Sequence, residues 1–262
     1  MFTVTPLPLR VRGALFTDST PFLIPSVVTE LSMNSHRRLS FGVTKIDKVF
    51  PGFQRGDFAV LYGHPLCEKL CFLLGVRCQL SLKRGGLNSR VVYIDGGNTF
   101  DPYAVSAMAQ EYGAEPRSVL EGIVISRAFT AYQLTALMSE RLEEALKQYR
   151  ARLVVVSDII GLFLDRDVPE QEGKEVLAKT TQRLSDIASK RHTIVIASHF
   201  PRPHANKSRF LESVLFGNAN IVIGIKEAKG VLKLSVESHP TLLPFTIDLP
   251  SNTVTLETFM EV

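Results

Sequence analysis

Phe58-Ala-Val-Leu-Tyr-Gly-His-Pro-Leu-Cys-Glu-Lys-Leu-Cys-Phe-Leu-Leu-Gly75 decides the fold. The apolar run from Phe58 to Tyr62 reads as a strand buried on both faces, and the leucines that follow the Gly63-His-Pro turn read as a helix. Strand, tight loop, helix is the setting of a phosphate-binding loop. Against the pattern G-x-x-x-x-G-K-[ST], Gly63 and Lys69 fall on the first glycine and the lysine, while Glu68 takes the second glycine position and Leu70 the hydroxyl position. Glycine there lets backbone N–H groups close around phosphate oxygens. Glu68 brings a side chain and a negative charge instead, and Leu70 has no hydroxyl to hold magnesium. The stretch is the skeleton of a nucleotide site whose nucleotide chemistry is lost.

The 262 residues suffice for one large core with a short appendage. A formal charge of +4 is too small a surplus to indicate nucleic acid unless local clusters carry it. The three cysteines, Cys67, Cys71 and Cys78, form no C-x-x-C pair and sit at helical spacing, so they read as buried thiols of a reducing compartment. The sequence shows no run of transmembrane length and no signal peptide, which leads to the expectation of a cytoplasmic protein without membrane contact.

Working outward, residues 1–38 are broken by Pro6, Pro8, Pro21 and Pro25 and read as an N-terminal arm; residues 39–262 read as the core domain. Thr44 to Phe50 is expected as a short helix capped by Thr44, with Asp47 inside its first turn. Val91–Ile94, Gly122–Ser126, Leu153–Val156 and Thr193–Ala197 are further apolar strands. Helices are expected from Asp101 or Pro102, from Ala131 to Tyr149 and from Lys174 to Ser189. The acidic stretch Asp165–Glu172 reads as a loop, and so does the basic stretch Pro201–Arg209. Four short strands close the chain, over 219–225, 231–236, 244–248 and 254–259, with Lys229-Gly230 as one turn. The fold class is α/β, a mainly parallel sheet flanked by helices with antiparallel strands at the C-terminal end.

Several of these segments together resemble the core ATPase domain of RecA-type recombinases, in the archaeal and eukaryotic branch with its paralogues. They are Leu39-Ser-Phe-Gly42, Pro51-Gly-Phe-Gln-Arg-Gly56, Tyr93-Ile-Asp-Gly-Gly-Asn-Thr-Phe100, Ile125-Ser-Arg-Ala-Phe129, Leu153-Val-Val-Val-Ser-Asp158 and Glu237-Ser-His-Pro240. They occur in the family's order over residues 38 to 250. The resemblance implies a RecA-like core, and it marks where this chain departs. Gly97 stands where the family's water-activating glutamate is expected, and glycine cannot abstract a proton. Ser157 holds the acidic position after the fourth strand, with Asp158 displaced by one toward the opposite face unless a local bulge brings it back. His199 stands at a polar sensing position. With Glu68 and Leu70 these losses argue against ATP hydrolysis, so no catalytic residue, metal or cofactor is assigned.

Gly63 and Lys69 remain as a degenerate cofactor-binding pair. Lys69 either keeps a phosphate or carboxylate contact or is satisfied by Glu68, Asp158 or solvent. For nucleic acid the expected contacts are Arg202, His204, Lys207 and Arg209, because the resemblance places the segment after the fifth strand in a DNA-contacting loop, and basic groups there suit phosphate. The acidic 165–173 stretch, matching the family's other DNA loop, works against this. Phe16-Thr-Asp-Ser19, or Phe22, is a weak match to the family's assembly peptide. The expected function is that of a non-catalytic recombinase paralogue that modulates homologous recombination or DNA repair, binding single- or double-stranded DNA, a recombinase or paralogue, or a second copy of itself. The alternatives are a weak or unconventional DNA-stimulated ATPase, and a structural or regulatory protein-interaction module without DNA binding.

Overall fold

The computed structural model describes residues 38–202 and 206–249. The N-terminal arm, Phe16, Phe22, His204 and the strand expected over 254–259 lie outside the described residues. Among the described residues, eight strands form one sheet: β1 (Phe58–Tyr62), β2 (Val91–Asp95), β3 (Ile123–Arg127), β4 (Leu153–Ser157), β5 (Ile194–His199), β6 (Ile221–Ala228), β7 (Val231–Ser238) and β8 (Phe245–Leu249), in the order β3-β2-β4-β5-β1-β6-β7-β8. Pairing is parallel from β3 to β6 and antiparallel from β6 to β8, as the strand patterns predict. Lys229 and Gly230 both take positive φ in the β6–β7 turn, the twist that two-residue hairpins favour.

The apolar runs exist because both faces of the sheet are covered. Ala59, Leu61, Val91, Tyr93, Leu153, Val155, Ile194 and Ile196 face one core; Phe58, Val60, Val92, Ile94, Val154, Val156, Val195 and Ala197 face the other. The first face packs on α2 (Leu66–Gln79), α3 (Pro102–Glu111) and α4 (Pro116–Glu121). The second packs on α5 (Ala131–Ala136), α6 (Leu142–Tyr149), α7 (Glu170–Arg191) and α8 (Asn206–Asn218). Before β1, Phe41, Phe50 and Phe53 pack ring to ring at 5.0–5.7 Å between centroids. The Asp47 carboxylate accepts from the N–H groups of Phe41 at 3.1 Å and Gly42 at 2.9 Å, fastening this lead-in.

Several local expectations are corrected. The first short helix, α1, spans only Thr44–Asp47, and Val43 occupies its cap position, so Thr44 is not the cap. The long helix after Ala131 carries one π turn, Leu137–Arg141, between α5 and α6. Helix α7 begins at Glu170, inside the stretch expected as an acidic loop. Glu170 and Glu172 lie in its first turn, where carboxylates favour the helix dipole, and Glu170 pairs with Lys174 at 2.7 Å. The basic stretch is only partly a loop, because α8 starts at Asn206 and takes Lys207 and Arg209 into its first turns. Among the described residues, no helix is long and apolar enough to cross a membrane.

Candidate functional site

The turn between β1 and α2 is short. Gly63 has φ of +109°, and a Cβ there would run into the carbonyl oxygen of Ile225 on β6. Its own N–H donates to the His199 carbonyl at 3.2 Å. Glycine is therefore needed by the sheet at this place. Helix α2 starts at Leu66, so Glu68 and Lys69 belong to its first turn. The N–H of Leu66 donates to His64 Nδ1 at 3.1 Å, that of Cys67 to the His64 carbonyl at 2.9 Å, and that of Glu68 to the Pro65 carbonyl at 3.2 Å. A helix N-terminus holds an anion through N–H groups free of internal partners; here those groups bond within the turn. Leu70 is buried in the core beneath.

The carboxylates complete the change. Asp95 and Ser157 are register partners on β2 and β4, on the face that carries α2, and Ser157 Oγ donates to Asp95 Oδ1 at 2.9 Å. Asp95 also accepts the N–H groups of Thr99 at 3.0 Å and Phe100 at 3.3 Å, and lies 3.4 Å from Arg127, its register partner on β3. Gly97 donates its N–H to Ser157 Oγ at 3.3 Å. Glu68 accepts from the Thr99 hydroxyl. Burial, then Asp95, then Asp158 push its carboxyl up to about 7. Three acidic side chains thus crowd the space that a nucleotide phosphate and its metal would need. The nucleotide and magnesium implied by the resemblance do not fit this site: its anion donors are bonded internally, its hydroxyl is a leucine, and its negative charge repels phosphate. Among the described residues, no His, Cys, Asp and Glu group of three or more is arranged to hold a metal ion.

Asp158 leaves the strand with φ of +42°. This conformation carries its side chain to Arg202, whose Nη2 lies 2.7 Å from Asp158 Oδ2, while Nη1 donates to the Gly161 carbonyl at 3.0 Å. His199 is fully buried, 3.6 Å from Asp158 Oδ1 through Nδ1 and 3.1 Å from Glu212 Oε1 through Nε2. Ser208 Oγ donates to the same Glu212 oxygen at 3.0 Å. Arg202, the expected phosphate contact, pairs with Asp158 in this network, and its side chain remains half exposed. Arg209 is exposed on α8, and Lys207 is described for its backbone alone.

Beyond the ends of β2, β3 and β4 lies a cavity of about 500 Å³, lined among others by Gly97, Phe129, Gly161, Leu162, Asp165 and Arg202. Sequence reasoning did not single out Phe129, Arg127 or Glu212 as site residues. The resembling segment Ile125-Ser-Arg-Ala-Phe129 could have pointed to Arg127 and Phe129; nothing local signals Glu212.

The Rad51 family model matches residues 34–200, more than half of the chain. The chain belongs to the Rad51 family. A DNA repair protein Rad51 homolog of Drosophila melanogaster is 32% identical over 129 residues, covering 48% of this chain and 38% of that protein. A DNA repair protein RAD51 homolog of Solanum lycopersicum is 30% identical over 149 residues, covering 54% and 43%. The DNA repair and recombination protein RadA of Metallosphaera sedula is 34% identical over 117 residues, covering 45% and 35%. The chain thus spans about two fifths of the length of these relatives.

Proposed function

We propose that this Rad51-family chain is a non-catalytic paralogue that acts in DNA repair and recombination through its binding surfaces, in the cytoplasm, without nucleotide turnover. The observation that carries this reading is the self-satisfied turn at Gly63–Glu68, whose N–H groups bond to His64 and Pro65 while the Glu68 carboxyl sits beside Asp95 and Asp158. The names of the relatives, DNA repair and recombination proteins, supply the process. The contacts assigned to nucleic acid are Arg202, Lys207 and Arg209 at the C-terminal side of β5, with His204 between them. Arg202 retains further N–H donors beyond the two used in its network. A recombinase, paralogue or second copy of the chain is the protein partner this reading carries. The exposed edge of β3, where Ile125 is 40% accessible, suits such a contact.

Phosphate release from ATP, measured with and without single-stranded DNA, tests the reading together with ATP-binding calorimetry. The expected result is background release and no binding heat. Turnover that disappears in Lys69→Ala would refute it.

A further inference from the structure

The strands from β3 to β6 are parallel, so they all begin on the rim of the sheet opposite to Arg202 and the nucleotide turn. On that rim Arg90 directly precedes β2 and Arg152 directly precedes β4, two strands in register from Val91 and Leu153. Arg150 joins them, because Ser89 Oγ donates to its carbonyl oxygen at 3.1 Å. Arg152 Nη1 reaches the Leu87 carbonyl at 3.5 Å, on the loop that also carries Lys83. Lys83, Arg90, Arg150 and Arg152 are all exposed. Among the described residues, no carboxylate lies within ion-pair distance of these four side chains. The cations to either side are paired: Arg117 with Glu121 at 2.9 Å, Lys190 with Asp186 at 2.8 Å, and Arg183 and Arg191 with Glu143. A cation favours a helix C-terminus, which accounts for Arg150 after α6, but Arg90 and Arg152 border strands. Arg150 also takes φ of +52°, a left-handed conformation that glycine adopts freely and a residue with a β-carbon does not. The chain thus holds a strained arginine where glycine would end α6 at lower cost.

We propose that this rim docks a short acidic segment of a partner protein, with its carboxylates on Arg90, Arg150 and Arg152 and an apolar side chain on Leu82. Charge complementarity selects the acid, and the extent of the patch selects the polypeptide. The unpaired arginines cover the lead-ins of two neighbouring strands, which stand ~4.8 Å apart. Carboxylates bound them on both sides: Glu121 just before β3, where the Gly122 carbonyl accepts the Val91 N–H at 3.0 Å, and Glu143 beside Arg191 at the approach to β5. Glutamates at alternate positions of an extended segment recur on one face every ~6.6 Å, so two or three of them fit between those boundaries. A nucleic-acid backbone continues past Glu121 and Glu143 and is repelled there. The exposed apolar group on the Lys83 turn is aliphatic, Leu82 at 52% accessible, and gives a base no ring to stack on. The inference is independent of the nucleic-acid contacts assigned at the other rim.

Fluorescence anisotropy at low and raised salt, with a labelled glutamate-rich peptide carrying a central leucine, tests this on the full chain. The same peptide with glutamine in place of every glutamate is the control. The expected result is that the glutamate peptide binds, the glutamine peptide does not, and affinity falls with salt. Arg90→Gln and Arg150→Gly should each weaken binding by about 1.5- to 5-fold, the range of one exposed charge pair. Arg150→Gly should do so with a melting temperature at or above that of wild type, because it relieves the left-handed strain; this separates a lost contact from a lost fold. Arg90→Glu should weaken binding further, whereas Lys229→Glu, the same change of net charge at the β6–β7 turn, should leave it as in wild type. No binding of the glutamate peptide at low salt overturns the proposal. So does binding that ignores the Arg90 and Arg150 changes, or that falls equally in Lys229→Glu. Single-stranded or duplex DNA that displaces the peptide, and itself loses affinity in Arg90→Gln, shows that the rim takes nucleic acid and also overturns it.

Discussion

Replacing Glu68 by glutamine should raise stability in a pH-dependent way. The Glu68 carboxyl is pushed from 4.5 to about 7 by burial and by Asp95 and Asp158. The folded chain therefore keeps a proton there that the unfolded chain releases near 4.5. Between those values the folded state binds more protons, so stability falls as pH rises; the penalty is absent below about pH 4.5 and complete above about pH 7. Such a rise corresponds to ~3 kcal/mol for a fully buried group. Solvent reaches part of this side chain, and screening leaves about 1–2 kcal/mol. Glutamine keeps an acceptor for the Thr99 hydroxyl and removes the charge. Urea unfolding of wild type and Glu68→Gln at pH 5 and pH 8 measures the difference. Glu68→Gln should match wild type within ~0.5 kcal/mol at pH 5 and exceed it by about 1–2 kcal/mol at pH 8. A difference that does not change with pH, or a variant less stable at pH 8, would refute the assignment of Glu68 to the acidic cluster.

Gly63→Ala should destabilise by about 3 kcal/mol, because a side chain at φ of +109° is strained and its Cβ meets the Ile225 carbonyl; thermal unfolding measures it. Arg202→Gln should cost ~1–3 kcal/mol by leaving Asp158 buried without its cation, and Asp158→Asn in the same chain should recover part of that loss in a double-mutant cycle. If Lys207 and Arg209 contact single-stranded DNA phosphates, each glutamine replacement should lower the slope of log K against log salt by about 0.7; an unchanged slope removes them from the interface. Cys67 and Cys78, pushed up to about 12 by burial, and Cys71, raised for the same reason, should resist a disulfide reagent in the folded protein and all react after denaturation.

The sheet was legible because each central strand is covered on both faces, which leaves short apolar runs rich in β-branched residues: Leu153–Val156 and Ile194–Ala197 are too short for buried helices and read as strands. Boundaries governed by charge were harder. Glu170 and Glu172 read as solvated loop, yet the same charges favour the first turn of α7. In the site, each departure from the family pattern could be named one position at a time: Glu68, Leu70, Gly97 and Ser157. What fills the gap could not, since it depends on residues far apart in the chain. Asp158 meets Arg202 only because its backbone turns left-handed at the end of β4, and nothing in the local sequence marks that turn. The expectation of a phosphate contact at Arg202 does not include this partner for the same reason.

Gly63 is fixed by a neighbouring strand, since Ile225 leaves no room for a side chain. Its presence is thus decoupled from any ligand. A pattern search that scores this glycine detects how two strands pass each other. Within such a motif, the informative positions are those with no duty to the scaffold, such as Glu68; Leu70, buried in the core, is not one of them.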